Sequence, residues 1–104
     1  MTPTLPMLQI LLALVDGDRH GYGILLEIER RTGRRLGTGT LYTTLQRLLA
    51  KKLIEETDKR PHPADDDARR KYYRLTRTGR EMAERESTRL ERVVEMARAK
   101  ALLS

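Results

Sequence analysis

The chain has 104 residues, 38% apolar and 35% charged, with a net charge of +6 and a pI near 10.1. That length allows one domain with a modest core, and the charge favours polyanionic partners, nucleic acid first, without separating DNA from RNA or an acidic membrane. With no cysteine there is no disulfide or thiolate metal site, and the longest apolar run, residues 8–15, is interrupted by Gln9 and too short to span a bilayer.

That run also lacks the basic flank and small-residue cleavage site of a leader, so a cytoplasmic protein is expected. Leu5, Leu8, Leu11, Leu12 and Val15 fall at helical spacing, with Ile10 and Leu14 widening the stripe. So broad a stripe calls for burial on two sides, one of them against another subunit. Asp16-Gly17-Asp18 ends this first helix with turn chemistry.

A second helix is predicted from His20 or Gly21 to Arg31, with Tyr22, Leu25 and Ile28 as its main apolar face and Ile24 adjoining. Thr32-Gly33 closes it, Gly33 suiting a left-handed C-terminal position. A short basic connection, Arg34-Arg35-Leu36-Gly37, leads to a third helix opening at Thr38 or Gly39 and continuing to about Lys51. At about 100° per residue, Leu41, Leu45, Leu48 and Leu49 cluster on one side, and Thr40, Thr43, Thr44, Arg47 and Lys51 on the other. Threonine has mediocre helix propensity, so three on one face are not there for helix stability. Small hydroxyl side chains followed by long cations suit insertion into a DNA major groove.

After Leu53 the pattern changes. Residues 54–58 and 71–75 read as two short strands, a two-stranded ribbon separated by a polar segment that holds Pro61, Pro63 and Asp65-Asp66-Asp67. A ribbon directly after a helix-turn-helix is a wing. From Thr76 onward the sequence reads as one long helix, with Thr76 as N-cap and Gly79 in the first turn at a small cost. Met82, Leu90, Val93, Val94, Ala97 and Ala101 form a sparse seam. Helical to Leu103, this segment would extend about 40 Å, too far for so small a core to cover. Pairing with the same helix of a second chain is the natural way to bury the seam. The expected fold is therefore mainly α with a two-stranded β wing. A winged helix-turn-helix spans residues 1–76 and a dimerisation helix residues 77–104.

Three blocks carry a resemblance. His20-Gly21-Tyr22-Gly23-Ile24, then Gly39-Thr40-Leu41-Tyr42 with Leu45, Arg47 and Leu48, then residues 70–76 (Arg-Lys-Tyr-Tyr-Arg-Leu-Thr) with Gly79 closely resemble the PadR family of transcriptional regulators, in its order and spacing. The resemblance implies a third helix that reads the major groove, a wing on flanking backbone or minor groove, and a C-terminal helix that builds a two-fold dimer. It also implies a repressor released by a small molecule or by a change in cellular state; for a small-molecule effector, a cleft between subunits, lined by the first and last helices, is the expected site. The chain stops after one such helix, as in the short subfamily. Two features depart from the family. Lys52 stands where a glycine is common, so the third helix must end on a non-glycine bend or run further. The Asp65–Asp67 run is unusual for a DNA-facing wing tip. The aromatic drug site of some short members uses tryptophan, which this chain lacks.

The expected DNA-binding set is His20, Tyr22, Thr38, Thr40, Tyr42, Thr43, Thr44, Arg47, Lys51, Arg60, Arg69, Arg70 and Lys71. Thr40, Thr43, Thr44 and Arg47 form its base-reading part. Tyr42 is placed beside the apolar face with its hydroxyl toward a phosphate, and His20 and Tyr22 at a helix start that favours a phosphate; packing alone is the other reading of these three. Cations flank the wing: Lys59 and Arg60 before it, Arg69, Arg70 and Lys71 after it. The expected dimer interface is Leu5, Leu8, Leu12, Met82, Leu90, Val93, Val94, Ala97 and Ala101.

The partners expected are a pseudo-palindromic double-stranded DNA operator and a second copy of the chain, in a cytoplasmic, nucleoid-associated setting with no membrane contact. No cofactor or metal is expected, since consecutive aspartates without other ligands make a poor site. With two histidines, no cysteine and no glycine-rich phosphate loop, no catalytic constellation appears. A winged-helix protein-interaction module that does not read DNA is the alternative, motivated by the acidic wing tip. RNA binding is a third reading, weakened by the lack of exposed aromatic platforms.

Overall fold

A computed structural model describes residues 2–58 and 70–104. Arg60, Arg69 and the aspartate run lie outside the described residues. Among the described residues, four helices and three short strands follow in the order α1 (Leu5–Ala13), β1 (Arg19–His20), α2 (Gly21–Thr32), α3 (Thr38–Ala50), β2 (Ile54–Thr57), β3 (Tyr72–Leu75) and α4 (Arg77–Ala99). The strands form one antiparallel sheet ordered β1-β3-β2, with Arg19 opposite Tyr73 and Glu56 opposite the same residue from the other side. The sheet therefore has three strands rather than two. β1 is two residues long, too short to leave an alternating pattern in the sequence.

Local chemistry sets most boundaries. Thr4 accepts the amide of Met7 to open α1, and Thr76 accepts that of Gly79 to open α4. Gly33 ends α2 at φ 77°, the left-handed position that glycine takes without penalty. Lys52 occupies the same region at φ 59°. The amide of Lys52 reaches the carbonyl of Leu49, and that of Leu53 reaches Leu48, closing α3 as a Schellman motif on a non-glycine residue. The helix thus bends where expected, with Lys52 bearing the strain.

The core is a single cluster in which Ile10 and Leu11 of α1, Ile24 of α2, and Leu41, Leu45 and Leu48 of α3 are fully enclosed. Met82 and Ala83 of α4 close it from the other side. Two residues expected at a subunit interface, Leu8 and Met82, are instead buried in this intramolecular core. Both fall on the turn of their helix that the body of the same chain covers, and helical spacing does not say which apolar layer covers a stripe. Gly79 is more than a tolerated first-turn glycine: a Cβ there would lie 2.0 Å from the carbonyl oxygen of Leu53. That carbonyl also accepts the amide of Thr76, so α4 crosses in direct backbone contact with the exit of α3.

Beyond Leu90, which packs partly against the core, α4 leaves the body. It ends at Ala99 rather than Leu103, with Ala101 at φ 62° and the amide of Leu102 on the carbonyl of Ala97. Ala101 is therefore outside the helical seam. Val93, Val94 and Met96 on this projecting part are exposed, as are Leu5 and Leu12 on α1. Among the described residues no helix is long and apolar enough to cross a membrane.

Candidate nucleic-acid interface

α3 follows α2 through a five-residue turn and packs its leucines inward, which leaves Thr38, Thr40, Thr43, Arg47 and Lys51 exposed. Thr44 departs from that set. It is only 6% exposed, and its hydroxyl donates to the carbonyl of Thr40 at 2.6 Å. Buried beside the leucines, it back-bonds its own helix and has no hydroxyl to spare for a base. Its position at the flank of the stripe, not at the centre of the polar face, explains the difference.

What the exposed face does not do is informative. The side chains of Thr43, Arg47 and Lys51 make no hydrogen bond or ion pair with any of the described residues. Arginines elsewhere are mostly engaged. Arg19, Arg30 and Arg31 converge on Glu27, Arg35 holds Glu29, and Arg89 holds Glu86. The arginine hydrogen bonds, that of Arg30 first, hold the Glu27 carboxyl below the usual carboxylate range against the effect of burial. Arg74 ties the sheet together, reaching Thr57 at 3.1 Å and Asp18 at 3.4 Å.

Beside α3 lies a groove of about 350 Å³, lined by His20, Gly21, Tyr22, Tyr42, Arg70, Lys71 and Tyr73. Five residues of the expected DNA-binding set, drawn from three separate stretches of sequence, meet there. His20 is the N-cap of α2, and its Nδ1 accepts the amide of Gly23 at 3.0 Å. Its Nε2 lies 3.0 Å from Arg70 Nη1, which brings the ring and the charged N–H donors of the guanidinium together at the groove. The His20 ring is fixed from behind by an edge contact with Tyr72 at 5.2 Å between centroids.

Tyr22 had two readings, a phosphate-facing helix start or the apolar face of α2; it is 51% exposed and lies on the groove wall, while Ile24, Leu25 and Ile28 fill the inner face. Tyr42 is 50% exposed, and its hydroxyl oxygen sits 3.1 Å from the point where a Cβ on Gly21 would be. Burial, with Glu56 and Tyr42 adding to it, raises the pKa of the Tyr73 phenol, so a neutral donor lines the floor. Lys71 leans toward Glu56 at 3.7 Å. A second groove of about 400 Å³ lies between α1 and α2, lined mainly by apolar groups, among them Leu12, Val15 and Ile28.

Three helices, a three-stranded sheet with the β2–β3 ribbon, and a free polar face on the third helix define a winged helix-turn-helix protein. The sequence matches the transcriptional regulator PadR-like family over residues 10–85, and the chain belongs to that family. In fold it is similar to a PadR family transcription regulator from Clostridium difficile, with a TM-score of 0.78 and 26% identity over 94% of this chain and 99% of that one. It is 42% identical over 84 residues, 81% of its length, to an uncharacterised 37.1 kDa protein of a transposon from Streptomyces fradiae. It is 38% identical over 73 residues, 68% of its length, to an uncharacterised protein X of Lysinibacillus sphaericus. The matched regions span 22% and 64% of those two relatives.

Proposed function

We propose that the chain binds a pseudo-palindromic operator as a homodimer and represses transcription from it. The α3 face enters the major groove, with Thr40, Thr43 and Arg47 toward base edges and Thr38 and Lys51 toward the backbone. The groove of His20, Tyr22, Tyr42, Arg70 and Lys71 takes a flanking phosphate. The observation that carries this reading is an exposed α3 face, whose Thr43, Arg47 and Lys51 side chains make no hydrogen bond or ion pair with the described residues, beside a groove that gathers His20, Tyr22, Tyr42, Arg70 and Lys71.

The projecting part of α4 supplies the dimer contact. Val93, Val94 and Ala97, with Leu90 at their base, and Leu5 and Leu12 of α1 bury their apolar surface against a second copy. Met96, Leu102 and Leu103 join that set, since they too are exposed and apolar. A small-molecule effector would bind between subunits, where α1 and α4 line a cleft, and release the operator. The expected setting is the cytoplasm, on the nucleoid.

The test is binding to duplex DNA from the promoter of the adjacent transcription unit against scrambled duplex. Half-sites are expected about 34 Å apart, one turn of DNA, and affinity should fall as salt rises. No preference for the promoter duplex, together with a stoichiometric protein partner in pull-down, would instead favour a protein-interaction module. Asp at both Val93 and Ala97 should give a monomer in sedimentation, and a profile that stays dimeric removes α4 from the interface.

A further inference from the structure

The burial pattern of α3 moves the centre of its outer face away from where the threonines alone put it. Leu41, Thr44, Leu45 and Leu48 are buried. At about 100° per residue, the ridge opposite their mean direction is Gly39, Thr43, Gln46 and Ala50, all exposed. Thr40, Arg47 and Lys51 lie on one flank of that ridge and Tyr42 on the other. The outermost ridge of a recognition helix penetrates a groove furthest, so its side chains are the ones best placed to meet base edges.

On this ridge one side chain is long, and the others are a glycine, a threonine and an alanine. Gln46 therefore stands clear of its neighbours, and it makes no hydrogen bond with any described residue. The chain holds two glutamines and no asparagine, and Gln9 is half-buried on α1, so Gln46 is the only side-chain amide on α3. Gly39 completes the shape. A Cβ there would meet nothing within 4 Å in this chain, so its bareness relieves no internal crowding. A bare backbone at the leading end of the ridge lets the helix approach an external surface closely.

We infer that Gln46 is a specificity-determining residue that selects an adenine in each half-site. Its amide offers one donor and one acceptor side by side, the complement of adenine N7 and the N6 amino group. Guanine presents two acceptors at the same edge, cytosine a donor alone, and thymine an acceptor beside a methyl group. The inference rests on the proposal that α3 reads DNA, and it adds which base is read and by which residue.

The test is selection from randomised duplex DNA by the wild-type chain and by Gln46→Ala and Gln46→Glu, each checked for unchanged helicity and melting. Gln46 lies on an exposed helix face, so neither substitution disturbs the core. The wild type should select a motif with an invariant A·T pair at one position per half-site. Gln46→Ala should erase the preference at that position alone, with about a tenfold loss on the wild-type motif. Gln46→Glu should shift that position toward cytosine, whose amino group a carboxylate accepts. A wild-type motif with no such A·T position, or the same motif from Gln46→Ala, overturns the inference and leaves DNA reading intact. So does an equal loss on every sequence, the mark of a phosphate contact. A wild type that selects no motif overturns both.

Discussion

α2 and α3 are neighbouring helices of nearly equal length that carry the same kinds of cation, and they use them differently. On α2, Arg30 and Arg31 lie three and four residues after Glu27, and Arg19 reaches the same carboxylate from β1. On α3 no acidic residue occurs at all, so Arg47 and Lys51 have no local partner. Side chains three or four apart on a helix are neighbours, so the presence or absence of a carboxylate at that spacing decides whether a cation is spent within the chain. The net charge of +6 therefore says little about where DNA binds. The positions of the acidic residues say more.

Breaking this contrast on the α3 side should give the largest effect. Arg47→Ala is expected to weaken specific binding by about 1–3 kcal/mol while the unfolding free energy stays within about 0.5 kcal/mol. DNA titration and thermal melting check the two halves. An unchanged ratio of specific to non-specific affinity would take Arg47 out of the base-reading set.

On the α2 side the pattern should reverse. Glu27, 8% exposed, loses its charge in Glu27→Gln, and stability should drop by about 1–2 kcal/mol, limited by the exposure of Arg30 and Arg31. DNA affinity should be retained. The pH dependence follows from the same carboxylate. Its folded-state pKa lies below the ordinary value of 4.5, so its contribution is complete above that value and disappears as pH falls through the lower folded one. Acid unfolding of Glu27→Gln should start from a lower stability and lack this component below about pH 4.5.

Gly21→Ala sharpens the comparison where the two helices touch. A Cβ there crowds the Tyr42 hydroxyl, which is the free end of a half-exposed side chain and can shift by a few tenths of an ångström. Stability should hold or rise, since alanine is the better helix residue. DNA affinity should fall several-fold as Tyr42 and its groove are displaced, and equal affinity would show that the groove makes no contact. Lys52→Gly should have the smallest effect. Relieving the left-handed lysine is expected to raise stability by about 0.5–1 kcal/mol. It also removes a cation outside the reading face, so specificity should not change, and denaturant melts with competition binding test both.

Much of this was legible in the sequence because local chemistry carried it. The cap at Thr76 and the Gly33 stop belong to that part, as does the leucine stripe of α3. His20, Tyr22, Tyr42, Arg70 and Lys71 were each expected in the DNA-binding set, but their assembly into one groove is tertiary. What failed needed knowledge of what lies above each helix. Leu8 and Met82 have the same spacing as interface residues, yet the body of the chain covers them. Tyr22 is apolar enough for a core and polar enough for a groove, so composition could not choose. Thr44 sits at the edge of the stripe, where one buried neighbour decides its role. Gln46 was hidden because the eye follows threonines and arginines, and only the burial of Thr44 shows where the outer ridge runs. The two-residue β1 left no periodic signal, and Gly79 looked merely tolerated until Leu53 was found against it.

The central claim is that the free face of α3, not positive charge at large, reads the DNA. Its most direct test compares two double variants that remove equal charge, Arg47→Ala with Lys51→Ala and Arg30→Ala with Arg31→Ala. Each is titrated against promoter and scrambled duplex across a range of salt. The α3 pair should lose the preference for promoter DNA and lower the salt slope by about one phosphate contact, that of Lys51, while the α2 pair keeps both. Equal losses in the two variants would contradict the account.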